Sequence, residues 1–215
     1  MKYQLVIFDM DGLMIDSEAK WAKGWQKVGD KYGYDFGPTL FNRLVGISGQ
    51  PVFDIVQEAI QNDPTDCINE AHELGLKYLK EEGADLKPGL LKLLDYLDRN
   101  GYKKAVATTS TREMTEHHLN NAGIFDRFDY ILCGDEVTKR KPDPEIYLSV
   151  LNKFNLTPSS ALVLEDSPHG VSAAYNAGID CIMIPDLIFP TIKQQNQTIA
   201  IMESLDNVKD YLKES

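Results

Sequence analysis

Cysteine is scarce in this chain of 215 residues: Cys67, Cys133 and Cys181 stand far apart and fit no metal-ligand spacing. Their scarcity excludes a disulfide scaffold, and they read as buried small hydrophobes in a reducing compartment. Long apolar runs are missing too. Nothing approaches the roughly 20 residues that a spanning helix needs. The apolar run at residues 5–8 stops at Asp9, short of the core of a secretory signal, so the expected location is the cytoplasm. Positive charge is in deficit, with 22 Lys and Arg against 33 Asp and Glu and a net charge of −11. That balance excludes nucleic acid or an anionic membrane as the main partner. If such a protein handles an anion, it needs a few well-placed cations or a metal.

What the chain does contain is alternation. Its length lies between one and two domains. Residues 3–9 read as a strand buried on both faces and ending at a carboxylate, and Asp11-Gly12 reads as the turn after it. Asp16-Ser17 carries N-cap chemistry, and Trp21, Trp25 and Val28 lie at helical spacing. To about residue 86 every segment stays helical. From Pro88-Gly89 onward the texture changes. Leu90, Leu93, Leu94 and Leu97 form one helical face, residues 104–108 a strand, and Ser110 to Glu113 a capping box. Strands at 130–133, 161–164 and 181–184 alternate with helices opened by Asp143-Pro144 and Ser167-Pro168, and a terminal helix covers 205–212. This pattern predicts an α/β fold with a doubly wound parallel sheet. Residues 1–15 and 87–215 form its core, and residues 16–86 an inserted α-helical cap.

In open α/β sheets, function gathers outside the C-terminal strand ends. Here those ends carry Asp9 and Asp11, then Thr108, Thr109 and Ser110, then Glu165 and Asp166, with Lys141 just before a helix start. Singly each is ordinary: a strand-end Asp is usually a turn, a lone lysine a solvated one, a strand-end Thr bonded to backbone. Together, four segments bring acids, hydroxyls and one cation to a single rim. Inward carboxylates repel unless a cation lies between them, and oxygen-only ligands favour Mg²⁺, which accepts a substrate phosphate oxygen. Thr108 and the N–H groups at the next helix start suit a phosphate. Lys141 neutralises further charge, and Asp9 then becomes a nucleophile. The expected partner is a small phosphorylated metabolite.

Asp9-Met10-Asp11-Gly12, Thr108, Lys141-Pro142 and Glu165-Asp166-Ser167, in that order, resemble the four motifs of the haloacid dehalogenase superfamily over essentially the whole chain. The resemblance implies a Rossmann-like core with a helical cap, and phosphoryl transfer through an aspartyl-phosphate. It implies Asp9 as nucleophile, Asp11 as general acid and base, and Thr108 and Lys141 as phosphate ligands. Thr109 and Ser110 complete the expected substrate-binding set. Mg²⁺ would be held by Asp9, the Asp11 carbonyl and Asp166, with Glu165 contributing directly or through another group. An acid at Asp11 argues against the dehalogenase branch. The stretches 9–18 and 141–147 resemble the pseudouridine-5′-phosphatase and β-phosphoglucomutase-like subgroup. Trp21 stands where that mutase has a cap histidine, and Gly49 where it has an arginine after the Gly46-Ile47-Ser48 pattern. Both departures favour a phosphatase over a sugar phosphomutase. The intact acids and Lys141 speak against a third reading, a non-catalytic metabolite-binding member. Trp21, Trp25 and Lys20 fit cap core better than a substrate pocket. His117 and His118 read as surface or packing residues remote from the motifs, Arg140 as solvated, and His169 as a minor supporting residue.

Overall fold

Leu5, Val6, Ile7 and Phe8 are all fully buried, as a strand covered on both faces requires. They form β1 (Leu5–Phe8), next to the middle of a six-stranded sheet with β4 (Lys103–Ala107), β5 (Tyr130–Leu132), β6 (Ala161–Glu165), β7 (Asp180–Met183) and β8 (Ala200–Ile201). The strand order is β5-β4-β1-β6-β7-β8, and every neighbouring pair is parallel. The computed structural model describes residues 2–45, 47 and 49–214, so Gly46 and Ser48 of the Gly-Ile-Ser pattern lie outside the described residues. The chain divides into two compact units, Met1–Ile15 with Asp85–Ser215, and Asp16–Ala84. The second crossing falls two residues before the expected position because Asp85–Leu86 is itself a short strand, β3; β2 is Ile15–Asp16 at the first crossing.

Helices α5 (Leu90–Arg99), α6 (Arg112–Asn121), α7 (Glu145–Phe154), α8 (Pro168–Asn176), α9 (Ile192–Gln197) and α10 (Leu205–Glu214) complete the sheet unit. Leu90, Leu93, Leu94 and Leu97 are fully buried, as their spacing requires, and α5 packs on α10 and β4. Leu5 and Ile7 share one core with Ile146 and Val150 of α7 and Val171 and Ala174 of α8. The strand β8 escapes sequence reading because two residues carry no periodicity; it pairs Ala200 with Ile182.

The helical unit contains α1 (Glu18–Tyr32), α2 (Pro38–Leu44), α3 (Gln50–Ile60) and α4 (Thr65–Glu82). Ser17 occupies the N-cap position without a side-chain bond, and Asp16 Oδ1 accepts the Ala19 N–H at 3.3 Å instead. Trp25 is 8% exposed and edge-on to Phe36, inside the core expected of it. Trp21 is tilted on His72 at 5.4 Å. Both tryptophans also line a cavity of about 380 Å³ with Phe41, Leu44 and Ile68, whereas Lys20 pairs with Glu82. No helix among the described residues is long and apolar enough to cross a membrane.

One correction concerns the start of α6. Its N-cap is Thr111, whose hydroxyl accepts the Met114 N–H at 3.4 Å, and not Ser110. The Ser110 carbonyl accepts the Gly134 N–H at 2.8 Å, and a Cβ at Gly134 would run into the Thr109 backbone. Gly134→Ala should therefore displace the Thr109–Ser110 loop and destabilise the fold by about 1–3 kcal/mol. Urea unfolding measures it; an unchanged midpoint contradicts the close approach.

Candidate active site

The pairing of Phe8 with Leu164 and with Val106 sets the register at the rim. It places Asp9 one step past β1, beside the Glu165 end of β6 and the Ala107 end of β4. The N–H of Asp9 still donates to the Leu164 carbonyl at 3.0 Å, which anchors the first residue of the loop. Lys141 reaches this point from the loop before α7. Its ammonium donates to Asp9 Oδ1 at 2.6 Å, Glu165 Oε1 at 2.7 Å and the Ala107 carbonyl at 2.9 Å. The side chains of Lys141, Asp9 and Glu165 are 3%, 10% and 0% exposed, so this is a buried ion cluster.

Burial opposes the charge on Lys141, but Asp9 and Glu165 overcome it and hold the ammonium protonated well above the ordinary range. Burial pushes Asp9 up to about 8; Lys141 opposes the shift, while Glu165 and Asp11 reinforce it. Asp166 is raised strongly by burial, then by Asp9 and Glu165. Carboxylate oxygens of Asp9, Glu165 and Asp166 lie within 4.8 Å of one another. Three carboxylates thus face one ammonium. Asp166 Oδ1 is buried without a hydrogen-bond partner.

Asp11 turns to the other side of the rim. Ser110 Oγ donates to Asp11 Oδ2 at 2.7 Å, and Thr108 Oγ1 stands 3.5 Å from the same oxygen. The Ser110 N–H donates to Thr108 Oγ1 at 3.0 Å, so the Ser110 backbone holds the Thr108 hydroxyl beside the acid. Thr109, expected with them, is exposed. His118 is buried, as the packing alternative expected, but it is not remote from the motifs, since the charge of Asp11 acts on it. Burial nonetheless lowers its pKa. Arg140 and His169 are exposed. Cys133, Asp135 and Glu136 also lie close together, but Arg112 and the Cys133 N–H engage Glu136, and the Arg112 N–H engages Asp135. All three cysteines are buried and free.

Sequence reasoning missed the supports of Glu165. Tyr147 donates its hydroxyl to Glu165 Oε1 at 2.8 Å, and the Ser167 N–H and hydroxyl both reach Oε2. The available signal was a tyrosine beside Ile146 on the buried face of α7, since a buried phenol needs a polar partner. Tyr147→Phe keeps the ring and removes one donor to a buried carboxylate. It should cost about 1.5–3 kcal/mol in urea unfolding, and a variant as stable as the parent contradicts the bond.

Residues 6–184 match the haloacid dehalogenase-like hydrolase family. A Thermotoga maritima protein named "Phosphorylated carbohydrates phosphatase" is 32% identical over 180 residues, 83% of this chain and 83% of the relative. A Drosophila melanogaster protein named "Probable pseudouridine-5′-phosphatase" is 29% identical over 211 residues, 94% of this chain and 90% of the relative. The crystal structure of CbbY from Rhodobacter sphaeroides, in complex with phosphate, superposes with a TM-score of 0.73 at 25% identity, covering 96% of each chain. With its parallel sheet and inserted helices, the chain belongs to the haloacid dehalogenase-like hydrolases.

Proposed function

We propose that the chain is a Mg²⁺-dependent phosphatase of a small phosphorylated metabolite, a sugar phosphate or a nucleoside monophosphate, acting through an aspartyl-phosphate on Asp9. The observation that most supports this reading is the buried Lys141 ammonium on Asp9, with Asp11 separately held by the Ser110 hydroxyl. The activities that the two relatives are named for fit the same chemistry. Three buried free thiols suit the cytoplasm, where this reading places the enzyme.

The residues at the rim fit a hard divalent cation. The donors are all oxygen, three carboxylates exceed one ammonium, and Asp166 Oδ1 has no partner. Asp9, the Asp11 carbonyl and Asp166 would hold Mg²⁺, with Glu165 acting through Lys141. When bound, the cation screens the charge of the phosphoryl group against that of Asp9.

The steps then belong to the side chains. An Asp9 oxygen attacks phosphorus in line, and the bond from phosphorus to the ester oxygen breaks. Asp11 gives that oxygen a proton, so the leaving group departs as an alcohol. Asp11, now a carboxylate, takes a proton from water as the water oxygen attacks phosphorus. The bond to Asp9 breaks, phosphate leaves, and Asp9 is again a carboxylate. Thr108 and Ser110 face the phosphoryl oxygens, with Thr109 as the exposed edge of the set, and Lys141, its three donors already engaged, supplies positive charge beside them.

A phosphate-release screen over sugar phosphates and nucleoside monophosphates with Mg²⁺ tests the reading. Isomerisation of a hexose phosphate without net phosphate release would instead identify a phosphomutase, and silence across the panel a binding module. Excess EDTA should abolish release and Mg²⁺ should restore it, with Ca²⁺ failing because it takes more ligands at longer distances. Full turnover in EDTA contradicts the metal assignment. Asp11→Asn with an aryl phosphate, whose leaving group needs little protonation, should give a burst followed by turnover slowed about 10²–10⁴-fold. The phosphorylated peptide carrying Asp9 should then be trapped in acid; absence of both burst and adduct contradicts the division of roles.

A further inference from the structure

Lys87 and Asp186 take no part in the steps above, yet they stand beside the same rim. Asp186 follows β7, the next strand after β6, and Lys87 follows β3. The Lys87 N–H donates to the Met14 carbonyl at 2.9 Å, which ties it to the turn after Asp11. Its ammonium donates to Asp186 Oδ1 at 2.6 Å, and the two side chains are only 19% and 17% exposed. One oxygen of Asp186 is therefore engaged. The other, Oδ2, is buried with no hydrogen-bond partner, the same condition as Asp166 Oδ1.

The two carboxylates converge on Gly12. This residue has φ +84°, and a Cβ there would collide with the Asp166 carboxylate and stand 3.5 Å from Asp186 Oδ2. Buried carboxylate oxygens are paired or face a metal and its waters. Asp166 turns its Oδ2 toward Gly12 and Asp186 its unpartnered Oδ2, so two like-charged carboxylates, each with one unpartnered oxygen, flank one glycine and need donors between them. Mg²⁺ keeps several waters when it binds protein carboxylates.

We propose that Asp186, oriented by Lys87, is a positioning residue whose Oδ2 accepts a hydrogen bond from water on the cation held by Asp166. The inference rests on the metal reading above. Lys87 occupies Oδ1 and draws on the charge of the carboxylate, which leaves Oδ2 as an acceptor for water rather than a direct ligand. Groups that orient metal-bound ligands in this way typically change metal affinity 10–100-fold when lost.

The chemistry of an amide makes the test specific. In Asp186→Asn the Lys87 ammonium, a pure donor, must keep the amide oxygen. The NH₂ then faces the water, donor against donor. Removing the lysine as well, in Lys87→Met with Asp186→Asn, lets the amide turn and present its oxygen. Mn²⁺ serves as probe, its free concentration read by electron paramagnetic resonance without substrate or turnover, and circular dichroism checks the fold. Asp186→Asn should weaken Mn²⁺ binding about tenfold, and the double variant should recover a measurable part of it. Asp186→Ala, which removes both oxygens, is the second variant and should also lose affinity. Asp166→Asn separates the two levels of the argument. If Asp166→Asn abolishes binding while Asp186→Asn and Asp186→Ala bind as the parent does, the role of Asp186 is refuted and the metal reading stands. A double variant no tighter than Asp186→Asn refutes the orienting role of Lys87. If Asp166→Asn binds Mn²⁺ normally, the metal reading fails and this inference fails with it.

Discussion

The Lys141 ammonium has three N–H donors, and the structure supplies three acceptors: the Asp9 carboxylate past β1, the Glu165 carboxylate ending β6 and the Ala107 carbonyl ending β4. One cation therefore joins the ends of three adjacent strands and is fully satisfied in doing so. A buried lysine is costly unless paired in this way, and removing one partner of such a cluster costs about 3–5 kcal/mol because the remaining charges stay buried. Asp9 is held at one oxygen with its neighbours fixed round it. Tyr147 and Ser167 in turn hold Glu165, so the nucleophile is supported through two further layers of hydrogen bonds.

The sheet makes this convergence possible. With β1 between β4 and β6, the connections that follow β1 and β6 diverge at that point, the place where open α/β sheets form a crevice. The Phe8–Leu164 register brings Asp9 and Glu165 level. A one-residue slip would turn the strand's buried faces over as well as separate the acids, so the core that fixes the register also fixes the site. Asp11 lies two residues on, just before the turn, and meets the hydroxyls of Ser110 and Thr108 instead of the lysine. The two aspartates thus have different surroundings, which is what different proton roles require.

Much of this was legible in the order of residues along the chain. Short apolar runs ending in Asp9, Thr108 and Glu165 mark the strand ends, and the leucines of α5 mark its buried face by spacing alone. What spacing does not encode is which way a strand-end side chain turns. Ser110 reads as a capping residue but serves Asp11, while Thr111 caps α6. Thr109, between two inward hydroxyls, points to solvent. Tyr147 looks like one more apolar position of α7, since only the fold brings Glu165 to its hydroxyl. Asp186 lies past the last strand read with a carboxylate end, and its neighbour Lys87 is 99 residues away in sequence. Such contacts depend on the crossing of distant segments, which local periodicity does not carry.

The central claim is that Asp9, held by Lys141, attacks phosphorus and that water completes the reaction in a second in-line step. The configuration at phosphorus tests it most directly. A phosphorothioate monoester made chiral with two oxygen isotopes, hydrolysed in water carrying the third, should yield inorganic thiophosphate with net retention, because two inversions cancel. Net inversion means one direct attack by water and contradicts an aspartyl-phosphate at Asp9.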